Sequence, residues 1–250
     1  MDDSADGVIG LLLSGGLDSS ILLGRLLDEG RTVQPFHIRT DLSWGTAETL
    51  AVERYTAAFA RPTLRPLVTL ELPLADLYGR HWSVTGQAVP PADTPDEAVF
   101  LPGRNALLLI KAAVWCQMHG LETLALAPLG SNPFADTSPE FFTHLAAALG
   151  YGGGRRLEIV RPLAHLHKRE VMQLGRDYPL ELTFSCIAPV AGLHCGRCNK
   201  CGERREAFAV ADLPDPTPYA HQPEGLCRPS SDEAPAAPTA PSDATAGDAA

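Results

Sequence analysis

Apolar positions along the first two thirds of the chain follow two alternating patterns, short uninterrupted runs and helical spacings. The run at 8–13 ends in Ser-Gly-Gly and predicts a buried strand. Leucines then recur at helical spacing over 19–29, and the following Gly30 predicts the end of a helix. Strands alternating with helices predict an α/β fold with a doubly wound, mostly parallel sheet. Further strands are predicted at 33–38, 67–72, 122–127 and 157–160, and further helices at 46–60, 105–119, 139–149 and 168–177.

Other stretches break this alternation. Prolines crowd the segment 83–102, which predicts a loop or lid, and glycines at 151–155 predict a turn. A basic helix is expected after the last clustered cysteine, to about residue 210. Proline and alanine dominate from 213 onward, which favours disorder. The chain is therefore divided into an α/β domain at 8–165, a C-terminal helical region with the cysteines at 166–212, and an acidic tail at 213–250.

The composition is typical of a globular protein, because 45% of the 250 residues are hydrophobic and 20% are charged. The net charge is −10, which disfavours a sequence-independent nucleic-acid binder, since such proteins need basic patches. The apolar stretch 106–116 is about half of the ~20 residues that span a bilayer, and the acidic start is unlike a secretory signal. We therefore expect a cytoplasmic protein without membrane or nucleic-acid partners.

The sharpest chemical signal is Ser14-Gly15-Gly16-Leu17-Asp18-Ser19, between the first predicted strand and helix. Its two glycines permit a tight turn with the backbone pressed against a ligand. Successive N–H groups and the following helix N-terminus then form an anion cradle, to which Ser14 and Ser19 add hydroxyl groups. Asp18 suits a phosphate site if a cation lies between, and Mg²⁺ is the natural choice because it bridges carboxylates and phosphates. The alternative is an ordinary Gly-Gly turn capped by Asp18 or Ser19.

The second signal is a cluster of four cysteines near the end of the globular part. Four thiolates with two short chelating steps suit one tetrahedral Zn²⁺ ion, and such a closed site is structural rather than catalytic. An iron–sulfur cluster is the main alternative, because closely spaced cysteines also hold it. Replacement of one ligand by His194, or free thiols in a turn, are further alternatives. The expected ligands are Cys186, Cys195, Cys198 and Cys201.

The two signals together resemble one family. Neither a Walker loop nor a Gly-x-Gly-x-x-Gly motif is present, and the glycine loop instead resembles the pyrophosphatase (PP) loop of ATP-adenylating enzymes. With the cysteine cluster, the Pro-Gly-Arg-Asn segment at 102–105, and Pro-Leu at 162–163 followed by Lys168 and Glu170, the chain is similar to the 7-cyano-7-deazaguanine synthases over roughly 8–210. The resemblance implies the adenine nucleotide α hydrolase-like fold of the PP-loop superfamily.

The resemblance also implies roles for individual residues. Arg104, at a helix N-terminus, would meet a phosphate or the developing adenylate charge, and Lys168 would be a second phosphate cation. With Asp18, these are the expected catalytic residues; a surface ion pair for Arg104 and a solvated helix start for Lys168 are the alternatives. The residues expected to bind ATP are Leu13, Ser14, Gly15, Gly16, Leu17, Asp18, Ser19, Ser20, Ile21, Leu22 and Leu23.

Two segments depart from the family pattern. The family has a Tyr-Gly-Gln-x-His-like stretch after its second strand, where this chain has Asp-Leu-Ser-Trp-Gly-Thr-Ala-Glu at 41–48. The family's Tyr-Pro-Asp-Cys-Arg segment, which helps to hold the deazaguanine, corresponds to 130–141, which keeps Asp136 and Phe141 but has no Cys-Arg pair. The nucleotide and metal parts therefore match the family, whereas the acceptor side is changed.

These features lead us to expect an ATP-dependent carbon–nitrogen ligase of the queuosine pathway. It would adenylate the carboxylate of 7-carboxy-7-deazaguanine, add ammonia and dehydrate the amide to the nitrile. It would hold one structural Zn²⁺ and use ATP with Mg²⁺, and the resemblance implies a homodimer. The alternatives are a related ligase with another acceptor, such as a protein terminus or another deazapurine; a nucleotide-binding subunit without catalysis; and a tRNA-modifying thiolase, which the net acidity disfavours.

Overall fold

A central parallel sheet organises the computed structural model of the protein, which describes residues 7–153 and 155–221. Within these residues the sheet has five parallel strands in the order β3-β2-β1-β4-β5. All five predicted strands are present, so the predicted α/β class is confirmed. The strands are β1 Val8–Leu12, β2 Thr32–Arg39, β3 Val68–Glu71, β4 Thr123–Ala125 and β5 Glu158–Val160.

Helices cover both faces of this sheet, as a doubly wound fold requires. In the described part of the chain they are α1 Leu17–Asp28, α2 Gly45–Ala58, α3 Ala75–Tyr78, α4 Trp82–Thr85, α5 Arg104–Met118, α6 Pro139–Gly153, α7 Lys168–Leu174 and α8 Asn199–Val210. Short 3-10 helices lie at Asp96–Val99, Ala135–Thr137 and Leu180–Leu182. None of the helices within 7–153 and 155–221 has the length and apolar character that crossing a bilayer requires.

Successive strand side chains alternate between two hydrophobic cores, one on each face of the sheet. Along β1, Ile9 and Leu11 belong to the core formed with α1, α2, α7 and α8, whereas Val8 belongs to the core formed with α5 and α6. Met172 of α7 and Phe208 of α8 share the first core with β1. The core is therefore continuous across the boundary between 8–165 and 166–212, and that division stays a proposal.

The prediction of a glycine-rich turn at 151–155 is wrong for the first three residues, because α6 continues to Gly153. The side-chain amide of Gln117 on α5 donates hydrogen bonds to the carbonyl oxygens of Leu149 (3.0 Å) and Arg155 (2.8 Å). A side chain at Gly153 would collide with Gln117, since an added Cβ would lie 2.2 Å from its oxygen. Gly153, the last residue of α6, thus allows the end of the helix to approach α5 closely.

The tail is not disordered from 213, because residues 213–221 pack against the C-terminal region. Leu213 contacts the first core, and Thr217 is buried. The guanidinium of the buried Arg204 donates to the Thr217 hydroxyl (2.6 Å), and the Ala220 N–H donates to the His194 carbonyl (2.8 Å). Beyond Leu213 the stretch is held mainly by polar contacts, so an apolar pattern could not predict it. The remainder of the tail, 222–250 with Cys227, lies outside the described residues.

The proline-rich segment 83–102 is a loop over most of its length, as predicted. It is fastened to the cysteine region by Asn199, whose backbone N–H donates to the Pro90 carbonyl (2.8 Å) and whose side-chain amide donates to the Thr94 carbonyl (2.9 Å). A third bond runs from the Ala92 N–H to the Arg197 carbonyl (2.9 Å). The proline-rich segment is therefore packed against the region that carries the clustered cysteines.

Candidate active site and metal centre

The glycine loop connects β1 to α1 at the point of the sheet where connections on either side run in opposite directions. Open α/β sheets bind ligands at this switch point, outside the carboxyl ends of the strands. Gly15 has a φ of +79°, and an added Cβ would lie 3.1 Å from the Val52 side chain of α2. Both the left-handed backbone and the close approach of α2 therefore require glycine here.

In the part of the chain that the structure describes, no side chain accepts a hydrogen bond from the N–H groups of 17–19 at the start of α1. The N-cap residue is Gly16, and Ser20 is the first residue whose N–H finds an intrahelical acceptor, the Gly16 carbonyl at 3.2 Å. The preceding N–H groups of α1 are directed out of the helix end. The hydroxyls of Ser14 and Ser19 lie 3.1 Å apart at the same place. The N–H groups at the start of α1 and the two serine hydroxyls have the arrangement of an anion cradle, in which the N–H groups of Ser14 and Gly16 donate to the serine hydroxyls (3.3 and 3.4 Å).

Behind the loop, the buried His37 ring joins the end of β1 to α2. Its Nδ1 lies 3.2 Å from the Leu13 carbonyl oxygen, and its Nε2 lies 2.9 Å from the Thr49 hydroxyl. Burial lowers the pKa of His37, so the ring is neutral at pH 7 and fixes the loop by hydrogen bonds rather than by charge.

Asp18 and Lys168, two of the expected catalytic residues, contact each other. The Lys168 ammonium lies 2.8 Å from both Asp18 carboxylate oxygens. Burial acts to lower the pKa of Lys168, but attraction to Asp18 and Glu203 outweighs it and the pKa is raised, which keeps the lysine charged. Glu203 of α8 lies 3.9 Å from Lys168 and 2.5 Å from Lys200. The i, i+3 spacing of Lys200 and Glu203 is visible in the sequence, but the contact of Glu203 with Lys168 depends on the fold.

A cavity of 350 Å³ extends from the loop over the carboxyl ends of β1 and β4. Ser14, Gly16, Asp18, Ser19 and Lys168 line one part of it. The expected ATP-binding stretch is therefore only partly exposed to this space. Its last three residues are fully buried in the first core and support the loop from behind; they are Ile21, Leu22 and Leu23.

Arg104 lines the same cavity from the opposite face of the sheet. It is the first residue of α5, as predicted, and follows Gly103, whose φ is +73°. Its buried Nε has no hydrogen-bond partner in the described part of the chain. The side-chain amide of the next residue, Asn105, donates to the Asp136 carboxylate (3.0 Å), another cavity residue. Arg104 is thus directed to the cavity rather than to a surface partner.

Glu48 is a cavity residue that the sequence analysis did not single out. Glu48 is only 8% exposed, and burial raises the pKa of its carboxyl to about 7. Attraction to the Arg104 charge acts in the opposite direction and lowers this pKa. Trp44 lies one turn earlier and Trp82 lies beside it, with ring centroids 5.9 Å apart in a stacked arrangement. Both tryptophans line the cavity. Trp44 and Glu48 fall within the segment 41–48 that departs from the family pattern, whereas Trp82 lies outside it.

The four expected metal ligands meet in one buried cluster, with all sulfur atoms within 4.8 Å of one another. The sulfurs of Cys186 and Cys198 are 3.8 Å apart, and those of Cys195 and Cys201 are 3.9 Å apart. Bonds of about 2.3 Å to one central ion give a tetrahedral edge of about 3.8 Å. The spacing therefore fits a single four-coordinate ion better than an iron–sulfur cluster, in which the thiolates bind different irons.

Backbone N–H groups surround the sulfurs of this cluster. The Cys186 sulfur accepts from the N–H groups of Ala188 (3.3 Å) and Cys195 (3.2 Å), and the Cys201 sulfur accepts from Gly196 (3.4 Å). Such donors stabilise thiolate ligands. Gly196 has a φ of +80°, and an added Cβ would lie 2.2 Å from the His221 carbonyl oxygen, so only glycine fits.

His194 does not belong to the cluster. Its Nε2 accepts a hydrogen bond from the Ser185 N–H (3.1 Å), and burial lowers the pKa of the ring to about 3. In the part of the chain that the structure describes, the four cysteines are the group of side chains close enough to hold a metal ion. Their chemistry suits a soft or borderline cation.

A parallel sheet with this glycine loop at its switch point defines the class of PP-loop ATP-utilising proteins. The sequence model of the family described as "Queuosine biosynthesis protein QueC" matches residues 9–212. A 7-cyano-7-deazaguanine synthase from Syntrophobacter fumaroxidans is 32% identical over 231 residues, covering 84% of this chain and 94% of that protein. Another from Thiobacillus denitrificans is 33% identical over 227 residues, covering 84% and 97%. The chain therefore belongs to the QueC family.

The solved structures that resemble the chain include a 4-thiouridine synthetase in complex with RNA and with bound ATP. The TM-score is 0.49 at 17% sequence identity, and the match covers 82% of this chain and 50% of that one.

Proposed function

We propose that this protein is an ATP-dependent carbon–nitrogen ligase that converts 7-carboxy-7-deazaguanine and ammonia into 7-cyano-7-deazaguanine. The observation that carries the proposal is one cavity lined by the anion cradle, Lys168 and Arg104, in a chain of the QueC family whose relatives are named for this product. The N–H groups at the start of α1 support ATP binding, because the N-cap residue Gly16 has no side chain to accept from them.

The first chemical step makes the carboxylate reactive. One carboxylate oxygen attacks the α-phosphorus of ATP, the bond to the β-phosphate breaks, and pyrophosphate leaves. The loop N–H groups, Lys168 and Arg104 stabilise the negative charge on the departing phosphates, which is where such donors accelerate a reaction. Mg²⁺ bound with ATP would take Asp18 as an oxygen ligand and add further charge stabilisation.

The later steps build the nitrile. Ammonia adds to the acyl carbon, AMP leaves with the activated oxygen, and a proton is lost to give the amide. The amide oxygen then attacks a second ATP and pyrophosphate leaves. Loss of AMP and of the remaining N–H protons forms the carbon–nitrogen triple bond. This sequence needs no nucleophilic side chain, so the protein's role is binding, orientation and charge stabilisation.

The ion pair between Asp18 and Lys168 is the arrangement of the site when no nucleotide is bound. Because the pKa of Lys168 is raised, its ammonium is available to a phosphate whenever one competes with Asp18. Asp18 would then be free to bind the cation that accompanies the phosphates. Glu203 of α8 contacts Lys168 and also pairs with Lys200 on the same helix.

For the cysteine cluster we propose one structural Zn²⁺ ion. Four thiolates leave no open coordination position, so the ion would fix the start of α8 and the surrounding loops rather than take part in the reaction. Metal analysis of the purified protein by plasma mass spectrometry is expected to give one zinc per chain, and a stoichiometric iron content would contradict it.

Product analysis tests the activity. The zinc-loaded protein is incubated with ATP, Mg²⁺, ammonium and 7-carboxy-7-deazaguanine, and nitrile and nucleotide products are measured by liquid chromatography and mass spectrometry. Replacing Asp18 by Asn should reduce turnover about 100-fold or more, whereas Asp93→Asn, at an exposed position of the proline-rich segment, should have no effect. No nitrile from the wild-type protein rejects the substrate, and full turnover by the Asp18 variant rejects the mechanism.

A related ligase with another acceptor, such as a protein terminus or another deazapurine, is the second candidate. The specific observation in its favour is the departure from the family pattern at 41–48 and 130–141, both of which reach the cavity. ATP–pyrophosphate exchange without nitrile formation from 7-carboxy-7-deazaguanine would support it, and mass spectrometry of adenylated products would identify the acceptor. The homodimer and the cytoplasmic location stay expectations, the former testable by light scattering.

A further inference from the structure

Glu48 is a buried carboxyl that the proposed chemistry does not use. It lines the cavity, and in the described residues its side chain makes no hydrogen bond or ion pair, although the Arg104 charge is near enough to attract it. A carboxyl removed from water without a partner destabilises the folded state. A ligand with hydrogen-bond donors at this place would supply the partners that the Glu48 carboxyl does not find in the described part of the protein.

The surroundings of Glu48 indicate a flat aromatic ligand. The Glu48 N–H donates to the Trp44 carbonyl (3.0 Å), so the two side chains leave α2 one turn apart on the same side. Trp44 stacks with Trp82 at an interplanar angle of 25°. A wall of two tryptophans beside one carboxyl is a common way to bind a planar heterocycle, with the rings providing contact area and the polar group providing orientation.

The hydrogen-bonding chemistry of a carboxylate narrows the range of planar ligands that fit beside Glu48. An ionised carboxylate only accepts hydrogen bonds, and its two oxygens match two parallel N–H donors. The 2-amino-4-oxo edge of a guanine-type ring offers such a pair, the ring N1–H and one N–H of the 2-amino group. A hypoxanthine-type edge offers one of these donors, and an adenine-type edge presents an acceptor at N1.

We propose that Glu48 recognises the 2-amino-4-oxo edge of the deazaguanine base, while Trp44 and Trp82 pack against its ring. The inference rests on the proposed function, because it assigns the base-binding part of the same cavity. The turn of α2 that carries Glu48 also touches the nucleotide loop, since its carbonyl oxygen lies 3.4 Å from the Cβ position of Gly15. Base and nucleotide are thus held by adjoining segments, as a transfer between them requires.

The first test compares Michaelis constants in the zinc-loaded protein. Glu48→Gln keeps the size of the side chain but replaces one acceptor by a donor. The KM for 7-carboxy-7-deazaguanine should rise about 10- to 100-fold, the usual loss for hydrogen bonds to a charged group, while the KM for ATP changes less than about twofold. Glu53→Gln, an exposed glutamate on the same helix, is the matched control and should change neither. An unchanged KM for the base in the Glu48 variant overturns the inference.

The second test changes the ligand instead of the protein, and it does not depend on turnover. Binding of 7-deazaguanine and of 7-deazahypoxanthine, which lacks the 2-amino group, is measured by calorimetry without ATP. The wild-type protein should prefer 7-deazaguanine about 10-fold or more, and Glu48→Gln should abolish the preference. Equal binding of the two bases by the wild-type protein, or binding of neither, overturns the inference.

The two tests separate the inference from the function. A wild-type protein that makes no nitrile but binds 7-deazaguanine in a Glu48-dependent manner contradicts the proposed function and supports the assignment of Glu48. A protein that makes the nitrile with equal efficiency in the wild-type and Glu48→Gln forms supports the function and contradicts the assignment.

Discussion

Replacing Glu48 by Gln should make the ligand-free protein more stable at neutral and alkaline pH. The carboxyl has an ordinary pKa of 4.5, which burial raises to about 7 in the folded state. Between these values the folded state binds more protons than the unfolded state, so the free energy of unfolding falls as the pH rises. A difference of about 2.5 pKa units at about 1.4 kcal/mol each gives a loss of about 3 kcal/mol, complete above pH 7. Glutamine has no proton to release and avoids this loss.

Urea unfolding of the zinc-loaded protein at pH 5 and pH 8 measures the effect. The quantity of interest is the difference in the free energy of unfolding between the variant and the wild type, because contributions from the histidines and from the metal site are common to both and cancel. This difference should shift in favour of Glu48→Gln by about 2.5 kcal/mol between the two pH values, because part of the full loss already occurs below pH 5. Glu53→Gln should show no such shift. If the Glu48 variant shows none either, the carboxyl is not held in its protonated form by burial, and the reasoning fails.

Three further predictions concern the metal region and the nucleotide loop. Gly196→Ala should destabilise the protein by more than about 2 kcal/mol and weaken metal binding, because the new side chain would have a left-handed backbone and would collide with a carbonyl oxygen. The control Gly192→Ala has the same φ but open space around the new side chain, and should cost about 1 kcal/mol. Equal melting temperatures for the two variants would contradict this prediction. Lys168→Ala should lower ATP-dependent turnover about 100-fold in a product assay, while the exposed Lys111→Ala should leave it unchanged. Removing the metal with a chelator should lower the melting temperature in a calorimetric scan and release one zinc per chain, and an unchanged melting temperature after complete removal would show that the cluster does not stabilise the fold.

Most of the fold could be predicted because its elements are encoded locally. Each strand is a short apolar run, and the main helices show apolar residues at helical spacing, so β1 and α1 differ from prediction by only a residue or two. The short helices Ala75–Tyr78 and Trp82–Thr85 could not be predicted, since a single turn has no periodicity. The end of α6 depends on Gln117, which is 32 residues before Leu149 in the sequence. The packing of 213–221 depends on hydrogen bonds of the buried Arg204, which an apolar pattern does not show.

The same distinction explains what was found in the site. The glycine loop and the cysteines are compact in sequence, so their chemistry was visible before the structure. Glu203 reaches Lys168 only because α7 and α8 pack on the same core, and Glu48 faces the cavity only because α2 packs on the loop. Apart from the i, i+3 spacing of Lys200 and Glu203, no local pattern marks these two glutamates among the thirty acidic residues of the chain. Their importance comes from burial and distance, which a sequence without its fold does not contain.

The central position of β1 also affects how the chain is made. Of the five strands, β1 comes first along the chain and pairs with β2, the next strand, but its other edge is completed only by residues 123–125. Parallel pairings between distant segments form late. During synthesis an apolar strand edge therefore stays open for a long interval, and such edges readily associate with other chains. Until residues 123–125 pair with it, this edge of β1 is therefore a part of the sheet at which another chain could add.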